Sequence, residues 1–344
     1  MKALILAAGF GTRMAPITDV IPKPLIPVLN RPTIEYNIYF LKHYGIKDIY
    51  INLHSHGEKI VKALGNGSKY GVKIEYLPES EILGTGGAIA SMEPFVKKEP
   101  FIVVNSDTIF DFDLDKMIEN HNHSEALATL GVIPASQNDP RAVVRADGDK
   151  IVRILNGSCY KTIPEGNAIF TGIHVINPKL LEFIPKNCFV SVTSYVYKRA
   201  VQSDRRLNAF YIKGKWWDMG TPDGFLNCSF DLLQNLPLKF FDDIDIFKDY
   251  YHTKYDYQGA NGGNNDVFVA LGKKLNFPPI KQNPPIVVGN NCEIEKSSDI
   301  VLGPNLIAGD GAVLSSESEL SNAVFLPKAD GSRVIFGKKG RIYY

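Results

Sequence analysis

The chain has 344 residues, 44% of them hydrophobic, with 38 Lys and Arg set against 37 Asp and Glu. That length exceeds one typical domain and that apolar content builds a sizeable core. The even charge balance argues against a nucleic-acid partner or an anionic-membrane surface, so any phosphate ligand has to be held by local groups. Cys159, Cys188, Cys228 and Cys292 lie far apart and form no Cys-x-x-Cys pair, which fits neither a zinc ribbon nor a disulfide framework and suits a reducing cytoplasm. No run of about eighteen apolar residues marks a membrane span, so the expectation is a soluble protein with no membrane partner.

The first predicted element is Met1 to Ala8, a short apolar run suited to a parallel strand covered on both faces. Gly9 and Gly11 then let the chain turn close to a ligand, with backbone N–H groups free to point at phosphate oxygens. Arg13 can bind two such oxygens at once, and Lys23 adds a mobile point charge. Two familiar glycine loops do not fit: a dinucleotide fingerprint needs a glycine where Met14 stands, and Gly-Lys-Ser/Thr occurs nowhere. Without the two cations the same residues read as an ordinary tight turn from strand to helix.

Lys2 to Ala7, Asp48 to Leu53, Lys73 to Leu77 and Phe101 to Asn105 read as strands. Helices are expected over about Pro32 to Tyr44, with Gly45 as its C-terminal cap, Gly57 to Leu64, and Gly86 to Phe95. The alternation predicts a parallel sheet with helices on both faces, and Gly9, Gly86 and Asp107 then fall at the carboxyl edge where open sheets take ligands. After residue 133 come a hairpin over Ala142 to Leu155 turning at Asp147-Gly148-Asp149, a strand from Ala168 to Val175, and a second hairpin over Leu207 to Met219 turning at Gly214. These read as an antiparallel insertion over the sheet. Pro222 to Leu233 reads as a helix capped by Thr221.

Residues 236–284 read as a linker with a flexible loop at Gly259 to Asn265. A near six-residue spacing of Val288, Ile294, Ile300, Ile307, Val313 and Leu320 predicts a parallel β-helix of about two coils. The division is therefore 1–235, 236–284 and 285–344, the last packing on the first or on another subunit as a homo-oligomer contact.

Asp107, just past a buried strand, and Asp218, after Trp216 and Trp217, are carboxylates of the kind that hold Mg²⁺ beside phosphates; both also suit plain turn or cap roles. Ala8, Gly9 and Gly84 to Gly87 could let a flat base lie against the main chain, with Glu79 as a further contact, although a helix start with glycines for packing looks the same. His54, His56, His121 and His123 have no carboxylate or thiolate cluster to make a transition-metal site. No Ser-His-Asp or Cys-His arrangement is recognisable.

Taken whole, Leu6-Ala7-Ala8-Gly9-Phe10-Gly11-Thr12-Arg13-Met14 followed by Pro22-Lys23-Pro24-Leu25 resembles the signature of the sugar-1-phosphate nucleotidyltransferases. The resemblance continues in the same order through Gly84-Thr85-Gly86-Gly87-Ala88, Asn105-Ser106-Asp107, Phe170-Thr171-Gly172-Ile173 and Trp217-Asp218-Met219-Gly220-Thr221-Pro222, covering roughly residues 1 to 235. It implies an α/β fold with a Rossmann-like, mostly parallel sheet, here followed by a short left-handed parallel β-helix. It implies Mg²⁺-dependent transfer of a nucleotidyl group from an NTP to a sugar 1-phosphate. Asp107 and Asp218 would be the metal ligands, with Arg13 on the pyrophosphate and Lys23 on the α-phosphate as catalytic cations. Leu6, Ala8, Gly9, Gly11, Thr12, Arg13, Glu79, Gly84, Gly86 and Asp107 would meet the nucleotide, and Asn156, Thr171 and Gly172 the sugar phosphate.

The match breaks on the sugar side, where the family's Glu-Lys-Pro is replaced by Leu155-Asn156-Gly157-Ser158 and a common glycine by Ala142. Asn156 and Lys161 are the available substitutes. The linker and tail resemble mannose-1-phosphate guanylyltransferases, whereas the Gly84 and Phe170 segments resemble uridylyltransferases acting on N-acetylmuramate 1-phosphate. The leading expectation is GTP with a mannose- or heptose-type sugar 1-phosphate. Uridylyl transfer to an amino-sugar 1-phosphate follows, then cytidylyl transfer to phosphocholine. A non-catalytic regulatory subunit that binds nucleotide sugars is the alternative of another class.

Overall fold

A computed structural model of the chain describes residues 1–15, 17–136, 139–154, 167–186 and 188–234, and beyond them the strands named below. They divide into two compact units. The first is Met1–Phe10, Pro22–Pro24 and Ile34–Trp216; the second is Gly11–Ile21, Leu25–Thr33 and Trp217–Tyr344.

In the first unit, β1 (Lys2–Leu6), β2 (Asp48–Leu53), β3 (Lys73–Pro78) and β4 (Phe101–Asn105) lie side by side in the order β3-β2-β1-β4, all parallel. Ala3, Leu4 and Ile5 of β1 and Ile102 to Val104 of β4 are wholly buried, which explains their unbroken apolar runs. Helices α1 (Thr33–His43), α2 (Gly57–Leu64) and α3 (Gly84–Ala90) connect these strands. Gly45 ends α1 at φ 72°, donating its N–H to Lys42 O while Ile46 donates to Leu41 O, the Schellman pattern. The helix expected to run on to Phe95 stops at Ala90 and restarts as one turn over Glu93–Val96. Pro94 is the cause, having no N–H to give and a ring that clashes with the carbonyl four residues back.

The expected mostly parallel sheet is in fact mixed. It adds β6 (Ala128–Pro134), β7 (Val144–Asp147), β8 (Lys150–Ile154), β9 (Ala168–Ile176) and β10 (Leu207–Tyr211), continuing in the order β4-β9-β6-β10-β8-β7. Strand β9 is antiparallel to both β4 and β6, so the segment read as lying over the sheet is built into it. The β7–β8 hairpin turns where expected, with Asp147 opposite Lys150 and Gly148 at φ 60°. The second expected hairpin does not form. Strand β10 pairs in parallel with β6, and the next strand, β11 (Gly214–Asp218), leaves the sheet and carries the chain into the second unit. Gly214 rides so close to Asp111 O and Phe112 that a Cβ would collide with both, and Phe112 belongs to β5 (Thr108–Phe112). Between β5 and β6 runs α4 (Leu114–Asn122), capped by Asp113 accepting from Lys116 N.

In the second unit, α5 (Pro222–Gln234) starts at Thr221, whose Oγ1 accepts from Gly224 N as expected of a cap. A seven-stranded sheet follows, in the order 250–254, 266–270, 286–288, 306–308, 323–327, 333–337 and 342–343. Parallel rungs pair Ile286 with Leu306 and Leu306 with Ala323, and two side ladders pair Lys281 with Val301 and Glu293 with Val313. Asn30 Nδ2 donates to Ala308 O at 3.0 Å. The Gly259–Asn265 loop, Asn156 and Lys161 lie outside the described residues. Among the described residues no helix is long and apolar enough to cross a membrane.

Candidate active site

The carboxyl ends of the parallel strands in the first unit are aligned by register, with Leu6 opposite both Asn52 and Asn105. Ser106 N donates to Leu6 O at 3.1 Å, which places the Ser106-Asp107 turn between β4 and β5 beside the end of β1. Lys23 Nζ is ion-paired with Asp107 Oδ2, and the two side chains are only 14% and 19% exposed. The turn is braced by Thr108 Oγ1 and Asn37 Nδ2, both donating to Asn105 O.

Gly172 sits at φ 87° in a bulge of β9, and a Cβ there would meet Asn105 Nδ2 at 2.5 Å. Only glycine leaves room for the Asn105 amide next to Asp107. Thr171 is buried, its hydroxyl donating to Gly131 O at 2.7 Å.

A second set of bonds joins the ends of β1, β2 and β3 to the glycine turn. Asn52 accepts Ala7 N–H at 2.8 Å through Oδ1 and donates through Nδ2 to Glu79 Oε1 at 2.7 Å. Glu79 Oε2 accepts Leu83 N–H at 3.0 Å. Asn52 was not anticipated from sequence; its signal is a polar residue near the carboxyl end of a run, Ile49 to Leu53, that is otherwise apolar or aromatic. Gly84 and Gly86 lie against Val190, whose carbonyl accepts Gly86 N–H at 2.7 Å. A Cβ on Gly84 would sit 2.6 Å from Val190 O, and one on Gly86 2.8 Å from Val190 Cγ1. Close packing thus accounts for these glycines. Phe10 stands 59% exposed, edge-on to the His54 ring at 5.7 Å.

In the second unit, Gly11 at φ 67° opens the turn Thr12–Met14. Its carbonyl accepts Thr18 Oγ1 at 3.1 Å and Met14 N–H at 2.8 Å. Met14 is buried while Thr12 and Arg13 are exposed. Asp218 Oδ1 accepts Gly220 N–H at 2.8 Å, and a Cβ on Gly220 would lie 2.8 Å from both Arg13 Nη2 and Asp218 Oδ1. Trp217 Nε1 donates to Asp231 Oδ2 at 2.8 Å, tying β11 to α5. Burial pushes the nearby Cys228 thiol well up, and the carboxylates of Asp231 and Asp218 add to it, so this cysteine is inert.

The first unit therefore holds Leu6, Ala8, Gly9, Lys23, Glu79, Gly84, Gly86, Asp107, Thr171 and Gly172, and the second holds Gly11, Thr12, Arg13 and Asp218. Among the described residues no three His, Cys, Asp or Glu side chains group to hold a metal.

The nucleotidyl transferase family model matches residues 2–235. The chain is 34% identical over 230 residues to the mannose-1-phosphate guanyltransferase of Aspergillus oryzae, covering 66% of this chain and 63% of that protein. It is 26% identical over 336 residues to the UTP–glucose-1-phosphate uridylyltransferase of Synechocystis sp., covering 92% and 82%. The chain thus spans about 63% of the length of that guanyltransferase relative. Among solved structures, it is similar to one provisionally described as a glucose-1-phosphate thymidylyltransferase from Bacillus anthracis, with TM-score 0.60, 27% identity, and 67% and 94% of the two chains covered. HddC from Yersinia pseudotuberculosis, complexed with GMP-PN, shares the fold at TM-score 0.54 and 24% identity, with 66% and 97% covered. The chain belongs to the nucleotidyl transferase family.

Proposed function

We propose that the protein transfers a nucleotidyl group from an NTP to a sugar 1-phosphate, releasing pyrophosphate, and that it prefers GTP with a mannose- or heptose-type sugar. The observation that carries this reading is the Lys23–Asp107 pair at the carboxyl edge of the sheet, where open α/β sheets take their ligands, in a chain of this family. The sugar phosphate attacks the α-phosphorus in line with the departing pyrophosphate, so the protein's part is positioning and charge neutralisation. Lys23 exchanges Asp107 for the α-phosphate. Arg13 grips the leaving pyrophosphate with its fork, the turn through Gly9 and Gly11 lines the phosphates, the main chain of Ala8 and Gly9 meets the base, and Leu6 and Thr12 are further nucleotide contacts.

The resemblance assigns Mg²⁺ to Asp107 and Asp218. Their hard oxygens suit an ion that takes one or two carboxylates besides water and phosphate, and the bonds to Lys23 and Gly220 N use one oxygen of each. When bound, the ion supplies neutralising charge to the phosphates. Glu79 supports guanine, because a carboxylate only accepts and guanine presents two adjacent donors, N1–H and N2–H. Asn52 and Leu83 take only part of its acceptor capacity.

Thr171, Gly172 and Asn156 are assigned to the sugar phosphate by resemblance. The rungs about twenty residues apart support a left-handed parallel β-helix in the tail, offered as a homo-oligomer contact of a cytoplasmic enzyme. The match to the uridylyltransferase, which runs through the tail, favours UTP as the second reading.

The test is pyrophosphate release by the full chain with Mg²⁺, four NTPs and a panel of sugar 1-phosphates. GTP with mannose 1-phosphate is expected to lead, and Asp218→Asn to lose most turnover at an unchanged melting temperature. Nucleotide binding without turnover on any pair sinks the enzyme reading in favour of a regulatory subunit.

A further inference from the structure

Among the described residues the two most exposed large apolar side chains are both phenylalanines, Phe10 at 59% and Phe189 at 69%. A single apolar side chain in water needs no explanation. These two, however, each stand at a glycine segment on the carboxyl edge of the first unit's sheet. Phe10 follows Gly9 directly. The ring of Phe189 reaches Gly84, its Cε2 lying 3.2 Å from where a Cβ on that glycine would sit. A Cβ on Gly9 would meet nothing within 4 Å, so the space beside Phe10 is open.

One run of contacts joins the two phenylalanines through Glu79. The Phe10 and His54 rings meet at 82°, an edge-to-face contact that directs the phenyl ring without covering both of its faces. His54 Nδ1 lies 3.0 Å from Glu79 O; a carbonyl only accepts, so Nδ1 carries the proton and the imidazole is held in one orientation. Glu79 Oε2 accepts Leu83 N–H, and Leu83 O accepts the N–H of Val190, the neighbour of Phe189, at 2.9 Å. Val192 N–H, donating to Thr85 Oγ1 at 2.9 Å, ties down the same segment. Both phenylalanines thus have ordered neighbours and remain open to solvent. Phenyl faces offer nothing to phosphates but stack well on a nucleobase, and a base whose edge meets Glu79 presents a π-face to either side.

We propose that Phe10 and Phe189 are the stacking residues of the base pocket, one on each side of Glu79. This assignment rests on the nucleotidyl-transfer reading, with Glu79 selecting the base by hydrogen bonds and the rings adding affinity without selectivity.

The test is titration calorimetry of the full chain with GTP, with UTP and with inorganic triphosphate, which has no base, all with Mg²⁺ and without a sugar 1-phosphate. Phe10→Leu and Phe189→Leu keep apolar bulk but lose the flat face. Each is expected to weaken nucleotide binding about tenfold, the scale of one base–aromatic contact, and to leave triphosphate binding unchanged. Phe10→Tyr and Phe189→Tyr should restore the parent affinity. Parent-like nucleotide binding in either leucine variant overturns the proposal and leaves the nucleotidyl-transfer reading standing. An equal loss of triphosphate, or a loss that tyrosine does not repair, also overturns it, because the substitution has then disturbed the turn and not a stacked base. A parent chain that binds neither nucleotide sinks the proposal and that reading together.

Discussion

The guanidinium of Arg13 and the carboxylate of Asp218 converge on the α-carbon of Gly220, each 2.8 Å from where a methyl group on that carbon would sit. Neither charged group can stay in place if the glycine gains a side chain. Gly220→Ala is therefore expected to lower kcat by about 100-fold, the scale of an ångström-sized misplacement of a catalytic group. The melting temperature should change little, because the atoms displaced are the tips of two side chains, Arg13 exposed and Asp218 half-buried, and not backbone. An unchanged kcat would separate Arg13 and Asp218 from the chemistry.

Gly220 also shows where reading the sequence stops. Arg13, Lys23, Asp107 and Asp218 stand out in the sequence through the ordered motifs that carry them, and β2, β4 and α2 have the bounds expected because their runs meet clear punctuation at both ends. The space around Gly220 is made by a turn two hundred residues earlier, which no local pattern records. The same holds for Lys23 and Asp107, which are 84 positions apart. Strand β9 was seen as a strand, but its insertion between β4 and β6 is decided by pairing with distant segments. Strand β6 was missed because Gly131 interrupts it; the glycine is there because a Cβ would strike Ile173 Cγ2 at 2.7 Å, a cross-strand fact rather than a turn signal.

Lys23 and Asp107 neutralise one another. On the proposed reading, a metal approaching Asp107 would meet a carboxylate that already has its cation, and an incoming phosphate would have to draw Lys23 away to free it. Lys23→Gln is expected to bind Mn²⁺ several-fold more tightly than the parent in the absence of nucleotide, read by paramagnetic resonance. Turnover should fall by about 100-fold or more, as when one charge-stabilising donor is lost. Weaker or equal Mn²⁺ binding in the variant would show that the ion pair does not restrain the carboxylate.

Glu79 accepts one hydrogen bond on each oxygen, from Asn52 Nδ2 and from Leu83 N. Glu79→Gln places an NH₂ group where one of those donors points. Turning the Asn52 amide to suit it moves the conflict to Ala7 N–H, which Asn52 Oδ1 now accepts. No arrangement satisfies all three, at a cost of about 1–3 kcal/mol for one unsatisfied buried group. The loosened partner is the turn leading into Gly84, so KM for the NTP should rise about tenfold while kcat stays within a few-fold. A fall in kcat at constant KM would place Glu79 among the groups acting in the transition state instead.

Two buried imidazoles make folding stability depend on pH. Burial lowers His121 to about 4 and His174 to about 3, against about 6.5 in an unfolded chain. His121 Nδ1 faces Thr129 Oγ1 at 3.0 Å, and His174 Nδ1 faces the hydroxyl of Tyr197, whose phenol burial keeps protonated. Both imidazoles are neutral partners in the folded chain. As pH falls below about 6.5 the unfolded chain takes up protons on these residues that the folded chain refuses, so stability is whole above that value and declines below it. The slope is about 1 kcal/mol per pH unit for each imidazole, continuing down to the folded values. Urea midpoints should therefore drop steadily between pH 6.5 and 5, a window in which ordinary carboxylates are still ionised. His121→Gln, which can still bond to Thr129, should remove about half of that slope. A midpoint that stays flat over this window would mean that the imidazoles can be protonated inside the fold.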